Sequence, residues 1–221
     1  KLSYHKTWGK FPLSLVVDAD ASAYKGTIAL EFAGSSIYLD NAGFPGTLDL
    51  AAETSVAVSN AVTVASLHLA SGAAVFLGAR SSFDEAKGAY VFDNGSICVT
   101  TGFSIDGPVT VKVGNGLGLP DGTSSKVALL TVPLAAVFDS KNLVFDTSDV
   151  DFPNAGVKEE TDESAGTRTF YLSFEPYLQL MQSDRSSRMF DTDGSFGSAL
   201  TNALAWSDCR VPHEGADYFI G

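Results

Sequence analysis

The chain has 221 residues, 45% of them hydrophobic and 18% charged, which is enough apolar material to bury a substantial core in one domain or two small ones and too much for wholesale disorder. Fourteen Lys+Arg against 26 Asp+Glu give a formal net charge of −12 at pH 7, which argues against nucleic acid as a partner, because a sequence-independent grip on phosphates needs a basic surface. Gly, Asp, Ser or Lys interrupts every apolar run before it reaches the roughly 20 residues that cross a bilayer, so no membrane span is expected.

The chain opens at Lys1 without an initiator Met, and its first segment lacks the ordered zones of a signal peptide. The expectation is that a leader has been removed or that the chain is part of a longer polypeptide. From Gly26 to Val113 short runs recur between Gly, Asn, Asp and Ser: GTIALEF, SSIYLD, GTLDL, TSVAVS, VTVASLHL, AAVFLG, AYVFD, SICVT and PVTVKV. Each has the length of a strand, the apolar residues follow two-residue steps, and helix-period patterning is nearly absent, so the region reads as all-β.

Two architectures compete for these strands. The pairs Asn94-Gly95, Asp106-Gly107 and Asp121-Gly122 are hairpin signals that favour an antiparallel β-sandwich. The uniform run length and the repeated Gly- or Ser-started runs from Pro45 to Gly78 favour instead a right-handed parallel β-helix, a solenoid in which each short strand stacks on its equivalent one coil earlier. The solenoid is the preferred fold class. Asn60, between two apolar runs, reads either as an inward turn residue that stacks in a ladder or as an exposed turn Asn.

From Lys126 the texture changes. KVALLTV is a nearly continuous apolar strand ended by Pro133, Leu143 to Phe145 is a further short strand, and the acidic stretch with Glu159, Glu160, Asp162 and Glu163 reads as a solvated hairpin tip before a strand from Arg168 to Phe174. After Pro176, Leu178, Met181, Arg185 and Met189 fall at roughly helical spacing, as do Phe196, Leu200 and Leu204, which predicts a short helix in this stretch.

The residues that carry chemistry do not assemble into a recognisable constellation. His5, His68 and His213 share no motif, and His68 alternates within the strand VASLHL as a surface-facing or structural residue would. Nucleophile elbows, zinc-protease helices, phosphate loops and dinucleotide fingerprints are missing from the sequence, and the Gly-rich VGNGLGLPDG at 113–122 reads as a loop. Cys98 and Cys209 are far apart with no zinc-ligand spacing; Cys98 reads as a small buried residue, and whether the two pair stays open. Carboxylate pairs are available at Asp18/Asp20, Asp84/Glu85, Asp149/Asp151 and Asp191/Asp193. Residues two apart on a strand point the same way at a separation of about 5–10 Å, which glycoside hydrolysis requires, so Asp149 and Asp151 are the candidate catalytic pair. Every pair sits at a turn or strand end, where Asp serves as a capping or turn residue, and this structural reading is preferred over catalysis, so no catalytic residue is assigned beyond the weak candidates Asp149 and Asp151. DTDGS from Asp191 matches the opening of a calcium loop but lacks its later ligands, which makes Asp191 and Asp193 the candidate Ca2+ ligands and a turn the default; no other cofactor is expected.

The C-terminal sixteen residues read WSDCRVPHEGADYFIG. Trp206, Asp208, Pro212, Gly215, Asp217 and Ile220 resemble the W-x-(D/G)-x-x-x-P-x-x-G-x-D-x-x-x-I opening of β-helical modules in large bacterial secreted and surface proteins, with Ile220 one place earlier than the pattern's I and Cys209 standing where a Gly is commoner. The coil grammar from Gly46 to Leu77 is similar to the body of such modules, and KVALLTV with RTFYLSF to their closing strands in autotransporter passengers. The resemblance implies that residues 1–205 form the body and close of one module, with closing strands and a short helix at about 126–205, and that 206–221 start the next. It further implies a secreted or cell-surface protein that works as a non-enzymatic solenoid in adhesion, display or contact with a glycan or a host or cell-surface component. The alternative within the same fold is a carbohydrate-active enzyme, a polysaccharide lyase or glycoside hydrolase with an acidic groove.

Overall fold

Val, Ile and Leu at every second position, cut at short intervals by Gly, Ser and Asp, make strands with one apolar and one polar face. The computed structural model describes residues 2–3, 12–17, 21–40, 43–84, 89–114, 126–150, 155–174, 178–179 and 218–219; the described residues are all-β, with one short 3-10 turn at Ser140–Asn142 and no α-helix among them. Two sheets dominate. One has six strands in the order β14 (Leu143–Asp146), β12 (Val109–Val113), β8 (Ala74–Leu77), β6 (Ser55–Val58), β4 (Ser36–Leu39) and β2 (Ser14–Val17). The other has eight, in the order β1 (Leu2–Ser3), β3 (Thr27–Leu30), β5 (Gly43–Leu50), β7 (Ala61–Leu69), β11 (Ser96–Ile105), β13 (Lys126–Pro133), β16 (Thr167–Ser173) and β15 (Gly156–Asp162).

Every pairing in the six-stranded sheet is parallel, and so is every pairing in the eight-stranded sheet from β1 to β13. From β2 to β8 the chain places one strand in each sheet alternately, so each strand lies beside the strand two before it. Ile37 pairs with Val56 and Val56 with Val75, steps of 19 residues. The antiparallel pairing that the NG and DG pairs favour is therefore not formed between 27 and 77. Asp106-Gly107 carries the chain from β11 to β12, in different sheets, and Asn94-Gly95 follows a hairpin as its exit; Asp121-Gly122 lies outside the described residues.

Inward residues stack in files across successive passes. Ile28, Leu48, Leu67 and Phe103 form one, Leu30, Leu50 and Leu69 another, and Ile37, Val56, Val75 and Val111 a third, all buried. Burying each such side chain contributes roughly 1.5–3 kcal/mol. β5 and β11 each carry an extra residue against β7, at Phe44–Thr47 and Val99–Gly102, so the two irregularities flank β7 at one level. Stacking extends to the turns. Ser35 N–H bonds the Phe32 carbonyl, Thr54 N–H that of Ala51, and Ala73 N–H that of Ala70. The third residue of each turn, Gly34, Glu53 and Gly72, has a positive φ of 78°, 58° and 83°. Gly34 N–H donates to Glu53 O at 2.7 Å, Glu53 N–H to Gly72 O at 3.2 Å and Gly72 N–H to Pro108 O at 2.7 Å, so each turn satisfies a donor of the one before it.

One insertion interrupts this regularity. β9 (Ala79–Asp84) and β10 (Ala89–Asn94) form an antiparallel hairpin between β8 and β11. At its base Gly95 N–H donates to Gly78 O at 2.7 Å. Without the hairpin, Gly78 and Gly95 occupy the places that Ser59 and Asn60 fill one pass earlier. Asn60 itself ties two passes by donating Nδ2–H to the Asp40 carbonyl at 2.8 Å. One pass later the equivalent of Asn60 is Gly95, and one pass earlier the register of β4 on β6 makes it Asn41, which lies outside the described residues.

At the other end the parallel order stops. β16 pairs antiparallel with β13, and β15 antiparallel with β16. The shift at Ala128–Leu130 lets Leu129 and Leu130 both bury. Glu159, Glu160 and Asp162 lie on β15, and the turn is residues 163–166; the predicted acidic tip is thus mostly an acidic edge strand. Charges there are tolerated because β15 has a strand partner on one side only among the described residues, and they deter further pairing. Beneath the hairpin Phe103, Phe138, Phe145 and Phe170 form an aromatic cluster with centroids 5.0–6.4 Å apart, ending the aliphatic files. Leu178–Gln179 (β17), expected to begin a helix, are extended and pair in parallel with Tyr218–Phe219 (β18); the rest of the predicted helical stretch and 206–217 lie outside the described residues.

Candidate functional site

Because the inward positions are aliphatic or aromatic, polar chemistry among the described residues is found on outward files and turns. On the eight-stranded sheet, Asp49 of β5 and His68 of β7 are register partners, and Ser104 of β11 pairs with His68 on its other side. Two residues on, Asp106 opens the turn to β12. His68 Nδ1 lies 2.7 Å from Asp49 Oδ1 and Nε2 lies 3.0 Å from Asp106 Oδ2. The hydrogen bond to Asp49 raises the His68 pKa above its ordinary value of 6.5, against a lowering by partial burial, and the bond to Asp106 with the two carboxylate charges adds to the rise. This cluster is the most elaborate ionisable arrangement among the described residues. Both ring nitrogens face carboxylates, so neither is directed at the neighbouring Ser104, and the group lacks the base-to-nucleophile contact of covalent catalysis.

The sequence offers the three residues only indirectly. Asp49 and His68 are 19 apart, the step between register partners on strands β4, β6 and β8, and a search at that period brings them together. Asp106 is hidden by the inserted hairpin, which lengthens its step from His68 to 38 residues.

Asp149, the candidate catalytic carboxylate, sits in the turn after β14, where its Oδ2 is 2.9 Å from Lys112 Nζ on β12. That contact raises the Lys112 pKa. Asp151, Asp191 and Asp193 lie outside the described residues, as do Asp18, Asp20, Glu85, His5, His213 and Cys209; Asp84 is the last residue of β9. Among the described residues no group of three His, Cys, Asp or Glu is placed to hold a metal ion. Cys98 is a free, half-buried thiol whose pKa burial pushes up.

Other acidic groups serve turns. Asp146 accepts from the Ser148 hydroxyl and N–H at 2.6 and 3.0 Å, and Asp162 from the Ser164 hydroxyl at 2.6 Å and the Ser164 and Ala165 N–H groups at 2.9 and 3.0 Å. These bonds, led by the serine hydroxyl, hold both carboxyl pKa values below the ordinary range. Lys126 pairs with Glu160 and lies 4.1 Å from the Tyr171 ring centroid, while Arg168 Nε is 3.3 Å from Glu159 Oε1. The outward file of the six-stranded sheet runs Val16, Tyr38, Ala57, Phe76 and Lys112, with Val16 and Phe76 exposed. No family model, curated protein or solved structure matches this chain.

Proposed function

We propose that the chain is a segment of a right-handed parallel β-helix from a secreted or surface-displayed protein, working as a non-enzymatic scaffold for adhesion, display or glycan contact. In this reading residues 1–205 make up one module of a larger array, 206–221 open the next, and no cofactor is required. The observation that carries it is the stacking of equivalent residues: strands, turns and buried files repeat from pass to pass, which gives an elongated surface of regular spacing. Support also comes from the polar groups, since the described carboxylates beside cations or serine hydroxyls, Asp146, Asp149, Glu159, Glu160 and Asp162, act as ties between strands and turns.

The test is a parallel assay of binding and turnover on a panel of neutral and acidic polysaccharides and on intact cells. Saturable binding without turnover, unchanged in Asp149→Asn, is the expected result. Turnover that is lost in Asp149→Asn while the fold is retained would replace the scaffold by the carbohydrate-active enzyme.

A further inference from the structure

His68 touches two carboxylates with its two ring nitrogens, Nδ1 to Asp49 at 2.7 Å and Nε2 to Asp106 at 3.0 Å. A carboxylate only accepts, and a neutral imidazole has one N–H and one lone pair. Neutral His68 can therefore satisfy one carboxylate and must set a lone pair against the other. The imidazolium alone donates to both.

The three residues belong to three successive passes of the chain through the eight-stranded sheet: β5, β7 and the turn after β11. We infer that Asp49, His68 and Asp106 form a proton-operated clasp that fastens these passes together when His68 is charged and releases the Asp106 turn when it is neutral. Asp106 is the arm that lets go. Its contact is the longer one, and its side chain is 62% exposed against 47% for Asp49. Asp49 lies within β5, paired on both sides by β3 and β7.

Other outward neighbours leave the clasp its own charges. On β7 the preceding outward residue is Ser66, on β11 the register partner is Ser104, and on β5 the residue two before Asp49 is Thr47, all uncharged. The charges acting on His68 are those of Asp49 and Asp106, and the raised pKa of the histidine agrees with this geometry. What the release loosens is also defined: Asp106 N–H donates to Leu69 O at 3.1 Å, and Pro108 O accepts from Gly72 N–H at 2.7 Å, so the turn of β11–β12 is stitched to the turn of β7–β8.

The experiment is amide hydrogen exchange and histidine NMR on the full chain. The His68 resonance, assigned by its loss in His68→Gln, is expected to titrate above ordinary histidine, and its pKa to fall in Asp49→Asn. Protection of the Asp106 and Gly72 amides, corrected for intrinsic rates, should drop several-fold between about pH 5.5 and about pH 8.5, a range that brackets an elevated histidine pKa. In Asp106→Asn the drop should vanish while the fold persists, because an Asn side chain can donate to the lone pair of neutral His68 or accept from the charged ring. His68 titrating at or below the ordinary value, or equal loss of protection in Asp106→Asn, would overturn the clasp.

Discussion

Gly95→Ala probes the most crowded glycine among the described residues. A Cβ added there falls 2.4 Å from Val58 O, 2.8 Å from Gly78 O and 3.0 Å from Gly78 N, all backbone atoms. None of these can swing aside as a side-chain tip would, so the strand exit must shift. Overpacking of this kind costs about 1–3 kcal/mol. The shift also strains the Gly95 N–H bond to Gly78 O, a contact of 2.7 Å, whose loss adds about 1 kcal/mol. Together these lower the midpoint of thermal unfolding by roughly 4–16 °C, at about 2–4 °C per kcal/mol for a chain of this size. Gly156→Ala is the control: nothing lies within 4 Å of its added Cβ, and its φ is not in the left-handed region, so it should be neutral or stabilising by up to about 1 kcal/mol. Calorimetric melts of both variants beside the parent decide the matter. If Gly95→Ala melts with the parent, the tight return of the chain beside Gly78 and Val58 is wrong, and so is the placement of the inserted hairpin.

Excision of residues 79–94, joining Gly78 to Gly95, should leave a folded chain that keeps a β-type far-UV circular dichroism spectrum and melts cooperatively, because it restores the spacing of the preceding pass; loss of cooperative melting would refute the insertion. Glu53→Gly should raise the melting midpoint by a few degrees, since Glu53 is the non-Gly residue with a positive φ in the stacked turns and a left-handed conformation costs a side-chain-bearing residue about 1 kcal/mol. Ser164→Ala should bring the Asp162 carboxyl back toward its ordinary value of 3.8, read by carboxyl-carbon NMR. Because the folded Asp162 pKa is depressed, its contribution is present above the unfolded value and lost as pH falls through the folded one, so the variant should be less stable than the parent near neutrality, with the gap closing in strong acid. Truncation after Ala205 should leave the midpoint within a few degrees, as expected for a change under about 1 kcal/mol; a much larger fall would assign 206–221 to this module.

Alternation makes most of the strands legible in the sequence. GTIALEF, SSIYLD and TSVAVS contain β3, β4 and β6 because each has apolar residues at two-residue steps with turn formers on both sides. β9, ARSSFD, was not readable, since it has no alternation and gains its extended form from pairing with β10. The dipeptides Asn94-Gly95 and Asp106-Gly107 misled, for a local turn preference does not specify which strand the exiting chain will meet. Gly95 is required by the approach of a backbone distant in sequence, and Asp106 ends up beside a histidine 38 residues away. Of the site, His68 was visible as an outward strand residue. Its two carboxylates were not, because their proximity depends on the residue step between parallel strands and on the length of an inserted hairpin. Glu159 and Glu160 looked like loop residues because edge strands tolerate the composition of loops.

Stacked parallel passes are most directly tested by distances along one outward file. Ser14, Ser36, Ser55, Ala74, Thr110 and Val144 are register partners on consecutive strands of the six-stranded sheet. At about 4.8 Å per strand, Ser14 lies roughly 19 Å from Thr110 and roughly 24 Å from Val144. Pulsed electron–electron resonance on spin labels at Ser14 and each of these two sites should give two narrow distributions, the second longer by about one strand spacing. A Ser14–Val144 distance equal to or shorter than Ser14–Thr110 would contradict the parallel stack.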